Sequence, residues 1–144
     1  MNNFTSSVNI PASLDRLQDV MAFAENGAAA AGVPPDKRSG LCLAVEEAFV
    51  NICSYAFPDG QGDVCLACFT DDGYFILEIN DNGPEFNQLS VPEPDLSIPL
   101  EQRQIGGLGV HFIRNFTDRA DWRRENGRNI LRLAVSLGEK EIPS

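Results

Sequence analysis

The sequence predicts an α+β fold, a two-layer sandwich in which helices cover one face of a mixed, mostly antiparallel sheet. Three observations predict it. Two early segments place apolar residues at helical spacing. Later segments alternate with period two. Turn signals link those later segments as hairpins, and helices grouped ahead of strands favour segregation to one face.

The elements follow in chain order. Residues 4–10 alternate and read as an edge strand. Pro11-Ala12-Ser13 opens a helix with Leu14, Leu17, Val20, Met21 and Ala24 at helical spacing, stopped by an alanine-rich end and Gly32. Val33-Pro34-Pro35-Asp36 starts a second helix, in which Leu41, Ala44, Val45, Ala48 and Ile52 form a buried stripe. Pro58-Asp59-Gly60 ends it as a turn. Strands at 63–70 and 74–80 flank the hairpin turn Asp71-Asp72-Gly73. Residues 82–105 hold four prolines and little periodicity, the texture of a functional loop or of disorder. Gly106-Gly107-Leu108-Gly109 leads into a short helix at 110–116. Strands at about 119–124 and 129–137 flank Glu125-Asn126-Gly127, and residues 140–144 read as a frayed tail. No repeat or linker divides the chain, so 1–144 reads as one domain.

Composition narrows the function. The chain has 144 residues, 43% hydrophobic and 22% charged, which is ordinary globular make-up. No apolar run approaches the roughly 18–20 residues of a membrane span. Residues 1–10 lack the basic start and apolar core of a signal peptide, so the expected location is cytoplasmic. A net charge of -10 argues against direct nucleic-acid binding. The basic residues Arg114, Arg119, Arg123, Arg124, Arg128 and Arg132 cluster late, either as solvated strands or as a patch for a phosphorylated ligand. Cys65 and Cys68 form one CxxC, but on a strand they point to opposite faces, and the single histidine, His111, does not complete a zinc set. Cys42, Cys53, Cys65 and Cys68 therefore read as free thiols.

Three motifs carry chemistry. Glu47 and Asn51 stand four apart on one helix face, within an otherwise apolar stretch. A carboxylate and an amide there need partners or a cavity. The Asn51 oxygen suits a hard cation such as Mg²⁺, and Glu47 suits a general base. Asp81-Asn82-Gly83-Pro84 ends an apolar strand, where a carboxylate can accept the amino hydrogens of a purine and Gly83 admits close backbone approach. The glycine run 106–109 precedes a helix, whose N-terminal amides favour a phosphate. Each alone has a plain structural explanation: an exposed Glu, a tight turn, a glycine hinge. Together they supply a metal ligand with a base, a purine acceptor and a phosphate cradle, with a lid at about 84–105 before the last.

In this combination Glu47-x-x-x-Asn51 resembles the N box of the GHKL ATPases, the superfamily of gyrase, heat-shock chaperones, histidine kinases and mismatch-repair proteins. Asp81-x-Gly83 resembles their first glycine box and Gly106-Gly107-Leu108-Gly109 the second. The likeness runs most specifically to the anti-sigma-factor serine kinases of RsbW type. Leu43-Ala44-Val45-Glu46-Glu47-Ala48, Ile105-Gly106-Gly107-Leu108-Gly109-Val110 and Gly127-Arg128-Asn129-Ile130-Leu131 carry it. The resemblance implies a Bergerat-type sandwich that binds ATP and Mg²⁺. Asn51 would hold the metal and Glu47 would act as catalytic base. Asp81 would hold the adenine amino group, with Gly83, Gly106, Gly107, Leu108 and Gly109 lining the nucleotide. It implies phosphorylation of a serine on a small STAS-type anti-sigma-factor antagonist, a sigma factor as second partner, and homodimers. Glu85 departs from the pattern, standing where many relatives carry a second glycine. The alternative is a nucleotide-dependent anti-sigma binding module without productive kinase activity.

Overall fold

Five strands form one sheet in the order β1-β2-β3-β5-β4. They are β1 (Thr5–Pro11), β2 (Asp63–Asp71), β3 (Tyr74–Asp81), β4 (Arg119–Glu125) and β5 (Arg128–Ser136). The computed structural model describes residues 5–57, 62–90 and 113–137. Every pairing among these residues is antiparallel, so the mixed character expected of the sheet has no counterpart within them. Both hairpin turns have two central residues at positive φ: Asp72 (52°) with Gly73 (82°), and Asn126 (54°) with Gly127 (77°). That pair of left-handed residues gives a turn whose twist matches the strands it joins, and Asp, Asn and Gly tolerate it best.

Alternation puts the apolar residues on one face. Val64, Leu66 and Cys68 of β2, Phe75, Leu77 and Ile79 of β3, and Leu131, Leu133 and Val135 of β5 are all buried. The register sets Leu77 between Cys68 and Leu133, and Ile79 between Leu66 and Leu131. Cys65 falls on the other face, as its odd separation from Cys68 requires.

Two helices cover the apolar face. In α1 (Leu17–Ala31), Val20, Ala24, Gly27 and Ala28 are buried. In α2 (Pro35–Asn51), Leu41, Ala44, Val45, Ala48 and Phe49 are buried, which is the stripe the sequence showed with Phe49 added. Each such large side chain contributes about 1.5–3 kcal/mol by leaving water. Gly32 closes α1 at φ 92°, donating its N–H to Ala28 and Ala29, and Pro35 opens α2 at a position where its missing N–H costs nothing. Residues 113–116 are helical, with Ile113 in the core.

The first helix starts later than the spacing suggested. Ser13 accepts the N–H of Asp15 and heads a 3₁₀ turn, Leu14–Arg16, before α1 begins. The tighter turn carries Leu14 off the buried stripe and leaves it 55% exposed.

Helix α1 approaches the sheet closely at Gly27. A Cβ there would lie 2.7 Å from the Cys68 sulfur and 3.5 Å from the Phe75 ring. Gly27→Ala is expected to destabilise the chain by about 1–2 kcal/mol in urea unfolding, because overpacking outweighs the gain in helix propensity. In a Cys68→Ala background the same change is expected to become neutral or stabilising.

Candidate functional site

Glu47 and Asn51 lie on the last turns of α2, one helical turn apart. Asn51 is the final α-helical residue. The chain continues as a π-helix, Ile52–Ala56, where the sequence had suggested one uninterrupted helix. Such wide turns recur at functional sites. Here it delivers two aromatic rings to the loop after β3. The Tyr55 ring meets the Phe86 ring with centroids 5.2 Å apart. The Phe57 ring fills the space that a Cβ on Gly62 or Gly83 would need.

The second part of the site is built on the central ladder. Asp81 of β3 pairs in register with Asn129 of β5, on the helix-facing side. Both are buried. Asp81 Oδ1 accepts the N–H of Gly83 at 2.8 Å and Nδ2 of Asn129 at 3.1 Å. No described residue donates to its other oxygen. Asn129 also donates to the Pro84 carbonyl at 2.8 Å and accepts from the Phe86 N–H and from Arg124, each at 3.1 Å. Arg124 further donates to the Gly83 carbonyl at 2.9 Å. Gly83 thus uses both backbone groups within the protein. A Cβ on it would stand 2.7 Å from that of Ala56 and 3.0 Å from Asp81 Oδ1, a packing reason for glycine beyond any ligand contact.

The loop then reaches back to α2. A 3₁₀ turn, Gln88–Ser90, buries Gln88. Gln88 Oε1 accepts Nδ2 of Asn51 at 3.1 Å, and its Nε2 faces the Ala48 carbonyl at 3.5 Å. Asn51 Oδ1 is left buried with no hydrogen-bond partner, one of two such side-chain atoms among the described residues, the other being Trp122 Nε1. An unsatisfied buried acceptor costs about 1–3 kcal/mol. A cation would relieve that cost, so this residue fits Mg²⁺. Among the described residues no three His, Cys, Asp or Glu side chains converge as a ready-made cage. Mg²⁺ is commonly held by one or two protein oxygens together with substrate phosphates, and a lone amide oxygen suits that habit.

Glu47 is half-buried. Desolvation, and secondarily the neighbouring Glu46, push its carboxyl above the ordinary 4.5. A carboxylate held above its usual range is a better proton acceptor. The thiols of Cys53 and Cys68 are pushed up to about 11 by burial, so they stay protonated at neutral pH.

Glu47, Asn51, Asp81 and Gly83 are therefore all placed, and the loop 82–90 ties the last three together. Gly106, Gly107, Leu108 and Gly109, with residues 91–105 of the expected lid, lie outside the described residues. Asn129, Gln88 and Arg124 were not legible as site residues. Asn129 left a signal, lying in a string already singled out for its family likeness, and Arg124 was marked only as one of the late arginines; Gln88 left none. The late arginines are engaged within the chain. Arg132 and Arg123 pair with Glu78, Arg119 stacks on Tyr74, Arg128 donates to Asn80, Arg124 to Gly83 and Arg114 to Leu89. A cavity of about 210 Å³ opens at the far end of α2, against Asp36, Lys37 and Gly40. It lies roughly 20 Å along the helix from Asn51, taking 1.5 Å per residue.

Residues 10–135 match the family model of the histidine kinase-like ATPase domain. The chain belongs to that family. It is 32% identical over 97 residues to the serine/threonine-protein kinase BtrW of Bordetella bronchiseptica, covering 67% of this chain and 68% of that protein. It is 23% identical over 128 residues to the serine-protein kinase RsbW of Bacillus mycoides, covering 86% and 80%. Within the family the chain is an enzyme, a protein serine/threonine kinase. Solved structures repeat the fold. The RsbU and RsbW domains of Rv1364c from Mycobacterium tuberculosis superpose with a TM-score of 0.61 at 15% identity, covering 91% of this chain and 32% of that one. The SiaB–SiaC complex from Pseudomonas aeruginosa gives 0.58 at 17% identity, covering 90% and 88%.

A carboxyl whose folded-state pKa lies above its unfolded value destabilises the fold once it is charged. The loss sets in as pH rises from 4.5 and is complete once pH has passed the raised value. Glu47→Gln is therefore expected to raise the melting midpoint at pH 7 by roughly 2 °C, with the gain vanishing below pH 4, in paired thermal scans.

Proposed function

We propose that this chain is an Mg·ATP-dependent kinase of the anti-sigma-factor type, acting on a serine of a small STAS-type antagonist protein. The observation that carries the reading is the buried Asn51 with its unpartnered Oδ1, one helical turn from a half-buried Glu47 of raised pKa. The names of the kinase relatives support it, and so does a structural neighbour seen as a two-protein complex.

In this reading Asn51 Oδ1 would hold Mg²⁺, which would neutralise phosphate charge. Asp81 accepts the adenine amino group through its free oxygen. Gly83 lines the adenine side, and Gly106, Gly107, Leu108 and Gly109 cradle the phosphates beneath a lid at 84–105. The serine oxygen forms the new bond to the γ-phosphorus. The bond to the bridging oxygen breaks, and ADP leaves with its electron pair. Glu47 takes the hydroxyl proton. The whole chain, 1–144, serves as one GHKL domain in the cytoplasm, as a homodimer that also binds a sigma factor and so regulates transcription by partner switching. Among the described residues no helix is long and apolar enough to cross a membrane.

Two variants test this. Asn51→Ala is expected to weaken Mg·ATP binding at least tenfold in calorimetry, about 1.4 kcal/mol. No binding by a folded wild type would end the nucleotide reading. Glu47→Ala is expected to bind Mg·ATP but transfer no phosphate to the antagonist, followed by intact mass. Full transfer by that variant removes Glu47 from the base role. No phosphate gain with wild type favours the binding-module alternative.

A further inference from the structure

The amide of Asn51 has two ends, and only the oxygen can hold a cation. Which end faces the metal position depends on what meets the other. That partner is Gln88, itself an amide and itself buried at 3% exposure. Its orientation is set in turn by a group with no choice. The Ala48 carbonyl can only accept, and it already takes the N–H of Ile52 within the helix. Facing it with the Gln88 oxygen would put two acceptors together, so Nε2 must face Ala48, as it does at 3.5 Å. Oε1 then faces Asn51 and requires Nδ2 there, at 3.1 Å. Oδ1 is the end left over.

We infer that Gln88 is a positioning residue for the metal site: it relays the polarity of the Ala48 carbonyl to the Asn51 amide and so fixes Oδ1 as the free ligand atom. This rests on the Mg·ATP reading above. It assigns a role to a residue of the loop after β3 that no motif marked. The relay also links that loop to the metal position. Gln88 stands two residues after Phe86, whose N–H is held by Asn129. Anything that pulls the loop away from Asn129 also releases the Asn51 amide to rotate.

Calorimetry of ATP binding by the full chain, once with excess Mg²⁺ and once with EDTA, gives a ratio of affinities that measures metal linkage without turnover. The wild type is expected to bind more tightly with Mg²⁺. Gln88→Met keeps the length of the side chain and loses both polar ends. It is expected to cut the ratio about tenfold, the usual scale for an outer partner of a metal ligand. Its affinity in EDTA should stay within about twofold of wild type. A Gln88→Met ratio equal to that of wild type overturns the inference and leaves the Mg·ATP reading standing. An equal fall in both affinities also overturns it, because Gln88 would then hold the loop and not the amide. A wild type that gains nothing from Mg²⁺ overturns the Mg·ATP reading itself. Should Gln88→Met fail to fold, NMR of the wild type with ¹⁵N-labelled asparagine decides. The contact between the Asn51 Nδ2 protons and the Gln88 side chain is expected to persist when Mg·ATP is added, and its loss overturns the inference.

Discussion

The hydrogen-bonded pair Asp81–Asn129 is the constraint on which the rest of the site depends. It exists because β3 and β5 run antiparallel in a register that places Ile79 beside Leu131 and, two residues on, Asp81 beside Asn129. The same alternation that builds the core thus delivers two polar groups to the helix-facing side at the end of an apolar ladder. Burial there demands full pairing. Asn129 answers it with four hydrogen bonds, three of them to the loop after β3 or to the arginine that braces that loop. From the loop the chain of contacts runs through Gln88 to Asn51. A strand register and the Asn51 amide are joined by one unbroken sequence of directed bonds.

The polar groups of α2 tell the opposite story. Burial disfavours charge on the Glu47 carboxyl, and Asn51 carries an acceptor with nothing to accept. Both costs fall on adjacent turns of a helix whose remaining inner face is fully apolar. A fold selected for stability alone would not keep two such defects side by side. Their coincidence is the observation on which the proposed roles of these two residues rest.

Much of this was legible in the sequence, for reasons that differ by element. The strands and hairpins could be read because period-two burial and Asp-Gly or Asn-Gly turns are local properties. The stripe on α2 could be read because it is long. Leu14 misled because its spacing fits a helix, while the local bond from Asp15 to Ser13 makes a tighter turn. The mostly antiparallel pairing was expected, but the strand order was hidden because it is a long-range property that no window contains. Gln88 was invisible for a similar reason. It sits in a proline-rich stretch with no periodicity, and its meaning comes entirely from an asparagine 37 residues earlier. The glycine run at 106–109 was the plainest phosphate signal, and it falls outside the described residues.

The π-helical turn at Ile52–Ala56 has a consequence for how the chain tolerates change. A wide turn is an α-helix with one extra residue, and one residue is a rotation of about 100°. Everything before the turn is in phase with the core through Leu41, Val45 and Ala48, while everything after it is in phase with the glycine slot that receives Phe57. The turn therefore works as a gearing between two registers. Removing one residue within it would leave α2 seated on the sheet while swinging Tyr55 and Phe57 away from the loop after β3. Insertions and deletions should then be tolerated far less here than in the hairpin tips.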